Sequence, residues 1–140
     1  MGDSKSIFKP TRGLTSEVVG QVMISHVNGR WDKQMHQEAT ELSNAQSVAL
    51  DQRGRWGSVV ILEDSLVSSL EVLKAGRDTV KDLPPSSNLV ALAWVIDPTL
   101  DGYSHMLPVY EAMFSGLLTT RVFPDFSDAK DWVEEIIRQR

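Results

Sequence analysis

Leu89-Val90-Ala91-Leu92-Ala93-Trp94-Val95-Ile96 is apolar at every position. A strand with one face in water alternates between apolar and polar residues. An unbroken run of this length belongs to a strand covered on both faces, as in a parallel sheet with crossover helices. The residues downstream agree. Tyr103, Leu107, Tyr110 and Phe114 recur at helical spacing, residues 118–123 form a short strand, and a closing helix carries Trp132, Ile136 and Ile137. Strand, helix, strand, helix in that order predicts an α/β fold in which residues 89–96 are a central strand and Trp94 is substantially buried.

Upstream of that run, Leu83-Pro84-Pro85-Ser86-Ser87 interrupts the chain. Before it, Leu66, Leu70, Leu73 and Val80 mark a helix, and Val59-Val60-Ile61-Leu62 closes an interior strand over residues 58–62. Trp31, Met35, Ala39, Leu42, Ala45 and Ala49 step by three and four, predicting a helix over residues 32–51 that Arg53-Gly54-Arg55-Trp56-Gly57 breaks. Residues 17–27 read as one strand, residues 13–16 as a turn and residues 7–12 as a short edge strand, where Pro10 is tolerated. The predicted order is β-β-α-β-α-β-α-β-α. It forms a mostly parallel central sheet with an early antiparallel strand and helices packed on it. Residues 1–6 are a polar tail and residues 7–140 one domain.

Composition excludes several classes. With 41% hydrophobic and 24% charged residues the chain is an ordinary globular sequence, so global disorder is not expected. A net charge of −5 without a concentrated basic face argues against nucleic acid as a partner. The absence of cysteine removes disulfides, thiolate nucleophiles and cysteine metal sites, and fits a cytoplasmic location. No apolar run is long enough to span a bilayer, and the start of the chain does not read as a signal peptide. Met1-Gly2-Asp3-Ser4-Lys5-Ser6 matches the loose myristoylation pattern but reads better as a solvated tail.

Open α/β sheets bind ligands beyond the carboxyl ends of their strands. The junctions there are Glu63-Asp64-Ser65, Asp97-Pro98-Thr99-Leu100-Asp101-Gly102 and Pro124-Asp125-Phe126-Ser127-Asp128, with Asn28-Gly29-Arg30-Trp31-Asp32 as a fourth. All are acidic or hydroxylated, and none is a glycine-rich phosphate cradle. Ser68 with Glu71 fits a capping box, and Ser127 ahead of Asp128 and Asp131 fits an N-cap. Ser65 is less readily explained by capping.

The three histidines have no metal-ligand spacing. His26 reads as a half-buried strand residue, His36 as part of a solvated helix face, and His105 as a loop-proximal residue near Asp97 and Asp101. That last group is where an enzyme would have to place its chemistry, the least favoured of three functional classes. No nucleophile elbow occurs, and the carboxylate pairs are adjacent in sequence and so diverge.

Asn28-Gly29-Arg30-Trp31-Asp32 resembles the Gly-x-apolar-Asp turn of STAS domains, the fold of bacterial anti-sigma-factor antagonists. The C-terminal part is similar to the SpoIIAA-like branch of that superfamily. It has an apolar strand ending in Asp97, a helix, the short strand Arg121-Val122-Phe123, and the ending Phe126-Ser127-Asp128-Ala129-Lys130-Asp131-Trp132. The resemblance spans about residues 17–137. It implies a STAS/SpoIIAA-like domain whose function is regulation or protein interaction rather than catalysis. The antagonists carry an Asp-Ser-Ser/Thr-Gly box at the second strand-to-helix junction. Here Asp64-Ser65 lacks the second hydroxyl and the glycine, while Ser68-Ser69 follows Val67 and precedes Leu70. A phosphorylation switch therefore does not follow from the resemblance.

Two functional expectations result. The first is a non-enzymatic regulatory or protein-interaction module with its partner at Asp64-Ser65 and the following helix. The alternative is a domain for a small apolar ligand or lipid, its pocket lined by Tyr103, Met106, Leu107, Tyr110, Met113 and Phe114, although core packing against the sheet is the better explanation of the same residues. The candidate partner- or ligand-contacting residues are Asp32, Asp64, Ser65, Ser68, Asp97, His105 and Tyr110. No catalytic residue, metal ligand or cofactor is assigned. Trp31, Trp56 and the Met106/Met113 face remain to be covered, and a homodimer is one way to cover them.

Overall fold

The computed structural model describes residues 14–28, 33–63, 70–84 and 87–139. Five strands and four helices follow one another as β1 (Leu14–Val19), β2 (Val22–Val27), α1 (Lys33–Arg53), β3 (Trp56–Leu62), α2 (Leu70–Lys81), β4 (Leu89–Ile96), α3 (Tyr103–Ala112), β5 (Thr119–Phe123) and α4 (Phe126–Arg138). The strands lie in the order β1-β2-β3-β4-β5. The pair β1–β2 is antiparallel and the remaining three pairs are parallel. This is the predicted α/β class with its early antiparallel strand.

The beginning of the sheet differs from expectation. Residues 17–27 are not one strand, and residues 13–16 are not wholly a turn, because Leu14–Val19 and Val22–Val27 fold back on each other. The loop is Gly20-Gln21, and Gly20 sits at φ 62°. Tight hairpin turns of the primed types need a positive φ at their first central residue, which glycine supplies without steric cost. The edge strand expected at residues 7–12 lies outside the described residues.

Register rows divide the sheet into two faces. Met23, Ser58 and Leu92 stand side by side, as do Ser25, Val60 and Trp94, and then Val27, Leu62 and Ile96. This face carries the larger core, closed by residues of α1, α2 and α3 and by Phe114 beyond α3. Three right-handed crossovers that advance the same way along a sheet place their helices on the same side.

The opposite face presents Val22, Ile24, Val59, Ala93 and Val95 to α4, which answers with Ala129 and Val133. Gly57 lets that helix approach. A Cβ there would collide with the Val133 side chain and would lie 3.2 Å from the Ala91 carbonyl.

Trp94 is the centre of the larger core, as its apolar run predicts. It is 5% exposed, lies 4.8 Å from the Tyr110 ring at a tilt of 59°, and stacks on Phe114 at 6.2 Å. Its indole Nε1 is buried without a hydrogen-bond partner among the described residues.

Trp56 needs no outside cover. It is buried at the start of β3, and its indole donates to Asp51 Oδ1 at 2.6 Å. The same oxygen accepts from the Asn88 backbone N–H at 2.9 Å, while Asn88 Nδ2 donates to the Asp51 carbonyl at 2.8 Å. One carboxylate thus pins the end of α1 to the starts of β3 and β4. At the same end of the sheet, Arg55 donates to the Ile136 and Ile137 carbonyls at 2.7 and 3.0 Å, satisfying orphan acceptors at the C-terminus of α4.

Met106 and Met113 pack against the larger core, so they too are accounted for within the chain. The large apolar side chains left exposed among the described residues are Val19, Val48 and Phe126. No helix among the described residues is long and apolar enough to cross a membrane.

Candidate functional site

The larger core is incompletely filled. Between the sheet and the layer formed by α1, α2 and the segment after α3 lies a cavity of about 180 Å³ that is partly open to solvent. Its floor is Met23, Ser25 and Val27 of β2, Ser58 and Val60 of β3, and Leu92 and Trp94 of β4. Ala39 and Ser43 of α1, Gly76 and Val80 of α2, and Met113 and Phe114 form the other wall.

The space has a local cause in the sequence. Positions facing a core on a central strand are ordinarily large and apolar, yet β2 and β3 offer serine at two of them. The helices opposite offer Ala39 and Gly76, which bring little or no side chain to fill the gap. Gly76 in a helix interior carries an intrinsic cost of about 1 kcal/mol relative to alanine, so the room it leaves is not free.

The wall is mostly apolar, with hydroxyls contributed by Ser16, Ser25 and Ser58 of the sheet, Thr40 and Ser43 of α1, and Thr79 of α2. Ser16 donates to Gln46 Oε1 at 2.7 Å, and both residues are buried. Ser43 donates to the Thr40 carbonyl at 3.4 Å. Among the described residues, the hydroxyls of Ser25 and Ser58 make no hydrogen bond to protein and are not sealed from solvent. No Asp, Glu, Lys, Arg or His belongs to the described wall of the cavity.

Asp97, His105 and Tyr110, the sequence candidates among the described residues, fall elsewhere. Tyr110 is 3% exposed and packs on Trp94 behind the cavity, so it is a core residue rather than part of the wall. Of the aromatic and methionine stripe, only Met113 and Phe114 reach the cavity; Tyr103 and Met106 pack in the core. Asp97 is exposed at the end of β4. It accepts from the Thr99 N–H at 2.9 Å and from the Thr99 hydroxyl at 2.8 Å, an Asx-type turn. The Thr99 backbone and hydroxyl bonds hold its carboxyl below the usual aspartate range.

His105 is exposed in the first turn of α3, and among the described residues neither Asp97 nor Asp101 bonds to it. Asp32, Asp64, Ser65 and Ser68 lie outside the described residues. Ser127 is not the N-cap of α4. Asp125 occupies that position with extended backbone and accepts the Asp128 N–H at 2.9 Å. The Asp125 carboxylate in turn pushes the Asp128 carboxyl above its ordinary value.

His26 is the half-exposed strand residue expected from its position, with Nδ1 3.4 Å from Glu63 Oε1 at the end of β3. Among the described residues no three His, Asp or Glu side chains gather as a metal-binding cluster.

Small residues at inward strand positions, Ser25 and Ser58, were the sequence signal for the cavity. They stand out only once the strands' registers are known. Compared with known proteins, the chain matches no family model, no curated protein and no solved structure.

Proposed function

We propose that this chain is a non-enzymatic small-molecule-binding module of the SpoIIAA-like type, which takes its ligand between the sheet and the α1–α2 layer. The observation that carries this reading is the cavity of about 180 Å³ beside Trp94. Protein interiors close-pack and keep few voids larger than a water molecule. An apolar cavity of about 150 Å³ is enough to hold benzene. The Gly-x-apolar-Asp sequence motif at Gly29 to Asp32 and the Phe126-to-Trp132 ending support the family part of the reading, and the ββαβαβαβα order is compatible with it.

The test has two arms. Native mass spectrometry of protein purified from its own host should show a bound mass, and Ala39→Leu, which extends a side chain into the cavity, should remove it without lowering the melting temperature. Bare polypeptide from the host, with an Ala39→Leu variant that loses stability as an overpacked core would, refutes the reading.

A further inference from the structure

Building on that reading, we infer that the occupant is an uncharged, single-ring molecule with one hydrogen-bonding substituent, its ring against Trp94 and its polar group toward Ser25 and Ser58. The cavity wall is graded. Ser25, Val60 and Trp94 form one register row, so the serine and the indole stand two strands apart on the same face. At the usual spacing of neighbouring strands that is about 10 Å, room for one ring lying over Val60. The β4 end is apolar and aromatic, with Phe114 stacked parallel to Trp94 within 3°. Flat apolar walls of this kind favour a ring.

The floor toward β2 and β3 is hydroxylated. The hydroxyls of Ser25 on β2 and Ser58 on β3 lack protein partners among the described residues, whereas Ser16 is already engaged with Gln46 and Thr79 with the Ala75 carbonyl. A hydroxyl can donate or accept, so a phenol or alcohol substituent meets both needs. The described wall favours a neutral ligand, since no ionisable side chain belongs to it. A buried carboxylate, phosphate or ammonium would face no counter-ion there, and its desolvation would go uncompensated. The size agrees, because about 180 Å³ exceeds a benzene-sized space by little more than a substituent.

The experiment titrates isotopically labelled wild type with p-cresol, toluene and benzoate, following the backbone amides of Ser25, Ser58 and Trp94 by NMR. Saturable shifts are expected for p-cresol with a Kd about tenfold below that of toluene, the effect of one neutral hydrogen bond. Benzoate should give no saturable shift. In the Ser25→Ala/Ser58→Ala double variant, p-cresol should fall to the affinity of toluene while toluene is unchanged. Equal binding of toluene and p-cresol by wild type, retained discrimination in the folded double variant, or benzoate binding as tightly as p-cresol would overturn the inference and leave the cavity reading standing. If none of the three moves those amides, no single-ring ligand enters, and the inference fails independently of the host-derived mass.

Discussion

Trp94 combines two opposing contributions, and a pair of substitutions separates them. Its ring is 5% exposed and wedged against Tyr110 and Phe114, so removing it leaves a hole that the neighbouring strands cannot collapse into. Emptying a site of this size ordinarily costs about 3–5 kcal/mol. Yet Nε1 is buried without a partner among the described residues, a penalty of about 1–3 kcal/mol already present in the native state. Trp94→Ala removes both, for a net loss of about 2 kcal/mol at the middle of the two ranges.

Trp94→Phe keeps most of the stacking and deletes the orphan donor. It forfeits about 40 Å² of apolar burial, or about 1 kcal/mol, and recovers the donor penalty. The phenylalanine variant should therefore be as stable as wild type or up to about 2 kcal/mol more stable. Urea denaturation followed by far-ultraviolet circular dichroism measures this without relying on tryptophan emission, provided the m-values agree. A Trp94→Phe variant less stable than wild type by well over 1 kcal/mol would refute the orphan-donor argument. A Trp94→Ala loss well below 1 kcal/mol would refute the burial itself.

Gly57→Ala should lower stability by about 1–3 kcal/mol, because the added methyl meets Val133 across the sheet; in a thermal melt, Val133→Ala should be milder on the Gly57→Ala background than on wild type. Asp51→Ala should cost about 2 kcal/mol in urea, since it strands the Trp56 indole and the Asn88 amide, while Asp51→Asn, whose amide oxygen can replace Oδ1 as acceptor of both bonds, should cost well below that. Asp97 has a native carboxyl depressed by Thr99, so its stabilising contribution is complete above the unfolded-state value and lost as pH falls through the native one. Asp97→Ala should therefore flatten the acid limb of a stability-versus-pH curve and leave its neutral part lower but parallel. Asp128 has the opposite sign: raised by Asp125, it favours the fold most below its unfolded-state value and loses that contribution as pH rises through the native one. The Asp128→Asn variant should lack that decline in the same titration.

The parts of the fold that could be read from the sequence are those where one residue pattern permits one structure. Leu89–Ile96 forms the strand its unbroken apolar run requires, because any other placement would expose a row of large side chains. The hairpin was hidden because Val18-Val19 and Val22-Met23 read continuously across Gly20-Gln21, and a lone glycine is a weak turn signal. Asp125 and Ser127 are both capable caps two residues apart. The chain's extended conformation at Asp125, with φ −139° and ψ 157°, makes the choice, and backbone angles are not written in residue type.

The cavity was the least legible feature because it is a deficit shared by several elements. Serine at Ser25 and Ser58, alanine at Ala39 and glycine at Gly76 are each unremarked alone, and become a space only when register and crossover bring them together. Conversely, Asp97 and Tyr110 drew notice through chemical type, whereas the structure employs one in a turn and the other in packing.

The seating of α4 over Gly57 has a consequence for how the chain reaches its native state. The sheet face that receives this helix is assembled from strands beginning at Val22, but its cover is delivered by Ala129 and Val133, and Arg55 finds its acceptors only at Ile136 and Ile137. Until the final helix has docked, a valine- and alanine-rich surface on β2, β3 and β4 stands bare. Such a surface is sticky toward other unfinished chains. Folding yield should therefore depend on concentration during refolding and on the integrity of residues 126–138, even for variants whose finished structure is fully stable.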